Sequence, residues 1–364
     1  MFFKKFTALN KPLLFLMFVL IACGLYCIYS ATWMRETHFV RSQVYWLLFT
    51  TPIFFIIAFT DYRWVRLGAI PLYGTGLLGL LLVLVLGIKV YGARSWLNLG
   101  FCHFQPSELA IIAGIMLLAL YLSNSEKKHP AIRIITCGAM MGIPCLLVLV
   151  QPNLGGAIVW FPIFFAMLYA ATIPVRYLLT LLLLGVAFTP LMVNFGMKPY
   201  QRDRITVFLD PSLDPQGAGW NINQSLNAIG SGGFWGKGFK APNTLNELGY
   251  LPSTIVHNDF IFSVLGEQHG FIGGFILIIL FALLIITGLF IAAHASDYFG
   301  RLLAVGITFL FFTHTFMNIG MTIGVTPITG LPLPLVSYGG SFMLVAMLSL
   351  GLLQSIWIHR KLVY

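Results

Sequence analysis

Residues 256–293 read VHNDFIFSVLGEQHGFIGGFILIILFALLIITGLFIAA, and this stretch decides the class of fold. From Phe271 onward it carries no acidic or basic side chain for about 20 residues, the length that an α-helix needs to cross the hydrocarbon core of a bilayer. Polar side chains precede the apolar run, and two of them are carboxylates, Asp259 and Glu267. The stretch therefore predicts a membrane-embedded helix with a candidate functional group, Asp259, near its N-terminal end.

The rest of the chain has the same apolar character. Of its 364 residues, 59% are hydrophobic and 9% are charged, and the mean hydropathy is +0.90. Soluble domains carry about 25% charged residues. The composition excludes an ordinary soluble protein and predicts an all-α polytopic membrane protein with one integral membrane domain over residues 1–364. We expect no nucleic-acid partner.

Ten apolar stretches are long enough to be transmembrane helices. They lie at roughly 13–32, 41–59, 68–88, 106–123, 131–150, 155–173, 177–196, 259–294, 302–322 and 341–358. The eighth is too long for one simple span. Because Gly270, Gly273 and Gly274 interrupt it, we expect its first part to form a re-entrant or interfacial helix.

The charges predict the orientation of these spans. Most of the 21 Lys and Arg residues fall in short loops on the side that holds both termini, which is typical of the cytoplasmic side. Most of the 11 acidic residues fall on the opposite, outer side. We therefore expect cytoplasmic termini and a functional site on the extracytoplasmic face.

Two outer segments differ from the short loops. Residues 198–258 form a long extracytoplasmic loop, which has too many aromatic residues and glycines to be a plain linker, so we expect it to be ordered. Residues 318–341 read NIGMTIGVTPITGLPLPLVSYGGS, and their prolines cannot lie inside a regular helix. Irregular backbone near membrane depth must be buried in protein or line a wet cavity. This second segment predicts a re-entrant element, and Ser337 within it is a candidate substrate contact.

Asp259 has two interpretations. An acid at a helix start can cap free N–H groups, which is a purely structural role. A carboxylate in a half-dry site can instead have a raised pKa and act as a general base. Asp259 also shares a helical face with Ser263 and Glu267 if the helix extends that far. If Asn258 is the cap, the carboxylate of Asp259 is left free.

Cations and one further acid complete the candidate site. Arginine binds phosphate oxygens with two parallel hydrogen bonds, and lysine supplies a point charge. The candidate substrate-binding residues are Arg202, Arg204, Arg94, Lys198, Lys237 and Glu108. Each also has a structural alternative, either a solvated charge cluster or, for Glu108, an acid in a first helical turn. No Cys/His cluster has the spacing of a metal site.

At this point the sequence resembles a known family, the SEDS proteins (shape, elongation, division and sporulation), and within it the rod-shape branch. The resemblance covers nearly the whole chain. Its most specific blocks are GARSWLNLG, QPSELA, QPNLGG, YQRDRI, GAGWNINQSLNAIGSGGFWGKG, HNDFIFSVLGEQHG and the segment 318–341.

The resemblance implies a ten-helix peptidoglycan glycosyltransferase of the bacterial cytoplasmic (inner) membrane. It would polymerise lipid II into glycan strands during cell elongation and rod-shape maintenance, with the elongation machinery and a class B penicillin-binding protein (a transpeptidase) as partners, among membrane lipids. Asp259 aligns with the family's catalytic aspartate, and the outer cations would receive the pyrophosphate. A divalent cation would be compatible with this chemistry, but the sequence has no clear ligand set, so no cofactor is assigned.

The chain departs from the usual family pattern at several positions. Asn258 stands where threonine is usual, Asn153 where aspartate is common, and Gln268 where a second acid is common. Ser253 replaces a glutamate, and Ile111 replaces a lysine that would pair with Glu108. The loss of this lysine weakens the case for Glu108, and none of the changes affects Asp259.

Two other functions remain open from the sequence. A lipid II flippase predicts functional charges through the middle of the membrane. A scaffold for the penicillin-binding protein predicts that Asp259 is dispensable and that the helix surfaces are not.

Overall fold

The structure, a computed structural model, describes residues 2–33, 38–90, 93–98, 100, 103–197, 199–252 and 254–360. In these ranges eight helices are long and apolar enough to cross a membrane, and two apolar helices are shorter. Together they occupy the ten stretches that the sequence predicts.

The first half of the chain forms six spans in seven of its helices, preceded by a short helix. Their bounds are α1 Phe2–Thr7, α2 Lys11–Thr32, α3 His38–Phe59, α4 Val65–Leu86, α5 Pro106–Asn124, α6 Pro130–Val150, α7 Leu154–Ile158 and α8 Trp160–Ala170, with a 3₁₀ turn at Tyr62–Trp64. Proline at the first position starts α5 and α6, where its missing N–H costs nothing. The sixth predicted span corresponds to α7 and α8 together.

A small antiparallel sheet joins α4 to α5, which the all-helical prediction missed. Its strands are β1 Ile88–Val90, β2 Ala93–Asn98 and β3 His103–Phe104, in the order β1-β2-β3. Leu97 pairs with Phe104 and Asn98 with His103. Pairing of the strands satisfies the backbone hydrogen-bonding groups of the loop that connects α4 to α5. The sheet also places Trp96 and His103 next to the helix bundle.

The second half contains the long loop and the last four spans. The bounds are α9 Val175–Leu191, α10 Pro199–Leu209, α11 Ala218–Ser231, α12 Ile261–Ala293, α13 Tyr298–Thr322 and α14 Gly340–Ile358; a π turn covers Met192–Gly196 and a 3₁₀ turn Pro211–Leu213. The described part of the long loop contains two helices, α10 and α11. Ser225 of α11 contacts Ser263 of α12 at 2.7 Å between hydroxyl oxygens.

The break in α12 lies at Gly270. Its φ of 61° and ψ of −158° are outside the helical region, and only glycine adopts them readily. A Cβ at this position would lie 2.4 Å from the backbone nitrogen of Gly236, so the loop after α11 crosses here. The predicted interruption is confirmed at Gly270, whereas Gly273 and Gly274 are helical.

Three helices form the centre of the bundle. α5, α13 and α14 are mostly buried, whereas α3 and α4 leave most of their surface exposed. The segment between α13 and α14 folds back over this centre and is largely buried. Side chains of α13 hold it: Nδ1 of His314 lies 3.4 Å from the carbonyl of Pro332, and Asn318 donates to the carbonyl of Leu331 at 2.8 Å.

Candidate active site

A cavity of about 500 Å³ opens where three parts of the chain meet: the proline-rich segment between α13 and α14 (residues 323–339), the sheet, and the turn before α12. Its lining comes from distant parts of the chain: Ser42, Trp46, Ser95, Trp96, His103, Gln105, Asn153, Arg204, Ile255, Asn258, Asp259, Thr329, Gly330, Pro332, Tyr338, Gly339, Gly340, Ser341 and Phe342. Its walls include both polar groups and aromatic rings. Asp259 is the only acidic residue among these described lining residues.

The backbone of Asp259 is fixed on two sides. Its N–H donates to the carbonyl of Ile255 at 2.8 Å, within a turn that precedes α12. Its own carbonyl accepts a hydrogen bond from Nδ2 of Asn318 at 3.1 Å. Gly330 stands across from the carboxylate, because a Cβ built there would lie 3.5 Å from Oδ2 of Asp259. The carboxylate thus faces the cavity from a rigid support.

The carboxylate of Asp259 is not a helix cap. α12 begins at Ile261, its N-cap residue is Phe260, and no side chain caps it. The expectation that Asn258 caps this helix is therefore wrong, because the turn at 254–260 delays the helix start. Among the residues that the structure describes, no hydrogen bond to the Asp259 carboxylate is found. The alternative interpretation, that the Asp259 carboxylate serves only as a helix cap, is therefore excluded.

The surroundings of Asp259 favour its neutral form. Burial raises the pKa of its carboxyl to about 7, and the positive charge of Arg204 acts in the opposite direction. A base whose pKa lies near neutral pH combines a useful ionised fraction with enough basicity to accept a proton. Asp259 has the position and the pKa that general-base chemistry needs.

His257, two residues earlier, has a packing role. Its ring centroid lies 3.9 Å from that of Phe39 and 5.4 Å from that of Tyr338. Burial, and then the nearby His38, lower the pKa of its imidazole to about 4, so the ring is neutral at pH 7. The carbonyl of His257 accepts the N–H of Tyr338 at 3.0 Å. His257 ties the turn that carries Asp259 to the proline-rich segment.

The predicted cations separate into two groups. Arg204 lines the cavity, and its guanidinium donates to the carbonyl of Ile328 at 3.1 Å. Arg202, on the same helix, is half-buried outside the cavity lining, and Arg94 is exposed with a weak contact to the carbonyl of Leu84 at 3.4 Å. Lys198 lies outside the described residues. Of the predicted cations that the structure describes, only Arg204 lines the cavity.

Lys237 lies away from the cavity and has a different partner. Its ammonium group is 2.7 Å from Oε1 of Glu267, whose side chain is 1% exposed. The same carboxylate oxygen accepts the N–H of Leu245 at 2.6 Å. The pair fixes the loop after α11 against α12. The predicted shared face of Asp259, Ser263 and Glu267 is also not formed, because Asp259 precedes the helix.

Ser337 and Glu108 are not among the described residues that line the cavity. The hydroxyl of Ser337 accepts the N–H of Leu333 at 2.9 Å and donates to the carbonyl of Asn258. Glu108 is buried in the first turn of α5, as predicted, and in the described parts of the chain its Oε2 has no hydrogen-bond partner. Ser337 thus supports the cavity wall through the backbone of Asn258.

The sequence did not predict several of the residues that line the cavity. Trp46, Trp96 and Tyr338 offer aromatic faces, and His103 and Gln105 offer polar groups. Trp96 and Tyr338 belong to sequence blocks that carry the family resemblance, but those blocks do not show which of their side chains face a cavity. Trp46 lies inside an apolar span, where nothing in the local sequence separates it from lipid-facing residues.

The described lining does not form a metal site. In the described ranges no group of three His, Cys, Asp or Glu side chains is close enough to hold an ion. Asp259 is the one carboxylate at the cavity, with Asn153 and Asn258 as neutral oxygen donors. The described side chains therefore supply one anionic ligand group, fewer than a cation site built from protein ligands alone would use.

Comparison with known proteins now identifies the family. The family model described as cell cycle protein, which covers FtsW, RodA and SpoVE, matches residues 11–362. The chain belongs to this family.

Named relatives agree with this family. The peptidoglycan glycosyltransferase MrdB of Escherichia coli K12 is 42% identical over 74% of this chain and 72% of its own length. The peptidoglycan glycosyltransferase RodA of Treponema pallidum is 32% identical over 94% of this chain and 96% of its own.

Solved structures show the same fold. A chain of a peptidoglycan synthase complex that coordinates polymerization and crosslinking is 32% identical, covers 97% of this chain and 98% of that chain, and gives a TM-score of 0.81. The crystal structure of the rod shape determining protein RodA of Thermus thermophilus is 28% identical, with coverages of 97% and 98% and a TM-score of 0.71. The chain is therefore a multi-pass membrane protein with the fold of this family.

Proposed function

We propose that this protein is a peptidoglycan glycosyltransferase that polymerises lipid II into glycan strands during cell elongation. The observation that carries the proposal is the carboxylate of Asp259, which faces the large cavity, caps no helix and has a pKa of about 7. The named activity of the relatives supports the same reaction.

The reaction assigns distinct roles to two side chains. Asp259 accepts the proton of the acceptor sugar's 4-hydroxyl while that oxygen attacks the anomeric carbon of the donor. The bond from the anomeric carbon to the pyrophosphate oxygen breaks, and the electron pair leaves with the pyrophosphate. Arg204 lies on the same cavity and stabilises the departing negative charge.

The cavity walls suit a sugar substrate. Trp46, Trp96 and Tyr338 present aromatic surfaces, and Asn153 and Gln105 present hydrogen-bonding groups. Sites for small molecules commonly combine apolar walls with a few polar groups that fix orientation. Arg202, Arg94, Lys198 and Lys237 are not required for this account. Ser337 supports the site through its hydrogen bond to the backbone of Asn258.

Orientation and partners complete the proposal. We place both termini in the cytoplasm and the cavity on the extracytoplasmic face of the inner membrane, because Lys and Arg concentrate in the loops on the side of the termini. The partner is a class B penicillin-binding protein, since a structurally similar chain belongs to a complex that coordinates polymerization and crosslinking.

Proteoliposomes with labelled lipid II test this function against a flippase and a scaffold. The enzyme produces glycan polymer and releases undecaprenyl pyrophosphate, with and without the added partner as separate arms. Movement of lipid II across the bilayer without polymer would support a flippase. Polymer that forms only from an added active polymerase would support a scaffold.

A further inference from the structure

A second cavity lies at the other end of the helix bundle. Its volume is about 430 Å³, and it is lined by residues of the α1–α2 junction, late α12 and the end of α14: Thr7, Ala8, Leu9, Asn10, Lys11, Pro12, Ile286, Thr287, Phe290, Trp357 and Arg360. α14 begins beside the Asp259 cavity and ends here. At a rise of about 1.5 Å per residue, the two cavities are roughly 30 Å apart.

The charged lining of this second cavity is basic. Lys11 is exposed at the start of α2, and Arg360 is half-buried after the end of α14. The guanidinium carbon of Arg360 lies 3.3 Å from the centroid of the Trp357 ring, and one of its nitrogens donates to the carbonyl of Trp357 at 2.6 Å. The described lining contains no Asp or Glu. The cavity therefore attracts anions.

The wall beside these cations is apolar and faces outward. Ile286 is 60% exposed and Phe290 is 49% exposed on the flank of α12. The Phe290 ring packs against Trp357 with 5.6 Å between centroids. A cationic pocket next to an outward-facing hydrocarbon surface fits a ligand with an anionic head and an apolar tail.

Hydrogen bonds fix the backbone at the base of the cavity. Asn10 and Gln354 exchange two buried hydrogen bonds, from the N–H of Asn10 to Oε1 at 2.8 Å and from Nε2 to the Asn10 carbonyl at 2.9 Å. The Asn10 side chain also accepts the N–H of Leu13 at 2.9 Å. The N-terminus of α2, which carries a partial positive charge, is thereby held against the end of α14. Binding needs little reorganisation of the backbone.

We propose that this cavity binds an anionic phospholipid of the adjacent bilayer leaflet, with the phosphate between Lys11 and Arg360 and an acyl chain along Ile286 and Phe290. Basic pockets between transmembrane helices bind anionic lipid head groups in this way. The inference does not depend on the glycosyltransferase proposal, because the cavity shares no residue with the Asp259 site.

Native mass spectrometry of the full-length protein, released from nanodiscs that contain phosphatidylglycerol and phosphatidylcholine, tests this proposal. We expect phosphatidylglycerol to remain bound in preference to phosphatidylcholine. The double variant Lys11→Gln/Arg360→Gln should lose about tenfold in that affinity, since each cation near a lipid phosphate contributes measurably. The control Lys127→Gln/Arg176→Gln removes two cations elsewhere and should bind as the wild type does. Equal retention by both variants would overturn the proposal.

A second measurement does not depend on the folding of the charge variants. Brominated phosphatidylglycerol should quench the fluorescence of Trp357, taken as the difference between wild type and Trp357→Phe, more than brominated phosphatidylcholine does. Soluble glycerol 3-phosphate should not relieve this quenching. Equal quenching by both lipids, or full relief by the soluble phosphate, would contradict a phospholipid site.

Discussion

The side chain of Asn318 holds the backbone of Asp259 to the proline-rich segment. Its Nδ2 donates to the carbonyl of Asp259 at 3.1 Å and to the carbonyl of Leu331 at 2.8 Å. Asn318 is completely buried in α13. One amide therefore sets the distance between the candidate base and the wall that faces it.

Asn318→Leu should lower glycosyltransferase turnover by about tenfold or more, because a displaced catalytic group loses most of its alignment. Two buried carbonyls would also lose their donor, at a cost of about 2 kcal/mol in the free energy of unfolding. Turnover per folded molecule and thermal unfolding are the measurements. Gln354→Leu is the matched control, because it removes a buried amide that bonds the backbone far from the cavity. Equal turnover losses in the two variants would refute the positioning role.

Gly330→Ala should reduce turnover by introducing a methyl group next to the base. Gly330 has a φ of 70°, which strains any other residue, and its Cβ would lie 3.5 Å from Oδ2 of Asp259. The backbone strain alone costs about 1 kcal/mol. Gly233→Ala carries similar strain at a φ of 56° with no heavy atom near its Cβ. If both variants lose stability and only Gly330→Ala loses activity, the contact with Asp259 is the cause; equal activity would contradict it.

The pH dependence follows from the pKa of Asp259, about 7. As a base it must be ionised, so turnover should rise with pH through about 7. Stability changes in the opposite direction. The folded-state pKa is raised, so the folded protein holds this proton more tightly than the unfolded chain, and stability falls as pH rises from about 4 to about 7. Asp259→Asn should remove this decrease, and thermal unfolding at pH 5 and pH 8 measures it. An unchanged difference between the two pH values in the variant would contradict the assignment.

Lys237→Met should destabilise the protein by about 2 kcal/mol, because it leaves the buried carboxylate of Glu267 without its cation. Adding Glu267→Gln should restore more than half of the loss, since the amide oxygen can still accept the N–H of Leu245. Lys240→Met, an exposed lysine of the same loop, is the control. Apparent lipid II affinity of the folded Lys237→Met protein should stay unchanged, and a large loss there would return Lys237 to the substrate site.

Much of the architecture was predictable because it depends on local sequence. The apolar runs predicted ten spans, Gly270 predicted the break in α12, and the prolines of 318–341 predicted the buried irregular segment. Periodicity placed Glu267 on the face of Asp259, but it could not show that the chain turns at 254–260 and starts α12 only at Ile261.

The site itself was less predictable, because it is built from residues distant in sequence. The sequence predicts that Arg202 and Arg204 both bind the substrate, but only Arg204 lies among the described cavity residues. The partner of Lys237 is 30 positions away. Such pairings depend on how helices pack, and no local pattern records them. Trp46 and Tyr338 were missed for the same reason.

Arg204→Gln should lower turnover by about 100-fold, because it removes the cation that faces the leaving pyrophosphate. Arg202→Gln, two residues earlier on α10, is the matched control and should have an effect of less than about threefold. Single-turnover rates at saturating lipid II separate charge stabilisation from binding. Equal effects of the two substitutions would remove Arg204 from its assigned role.

In the proposed reaction, Asp259 accepts the proton of the acceptor hydroxyl during glycosyl transfer. The most direct test measures polymerisation of labelled lipid II by wild type, Asp259→Asn and Asp259→Ala in the same nanodiscs, with lipid II binding measured separately. Asp203→Asn serves as an exposed carboxylate control on α10. Both Asp259 variants should fold and bind lipid II, while their turnover should fall by at least about 100-fold. Polymerisation by folded Asp259→Ala at the wild-type rate would contradict this role.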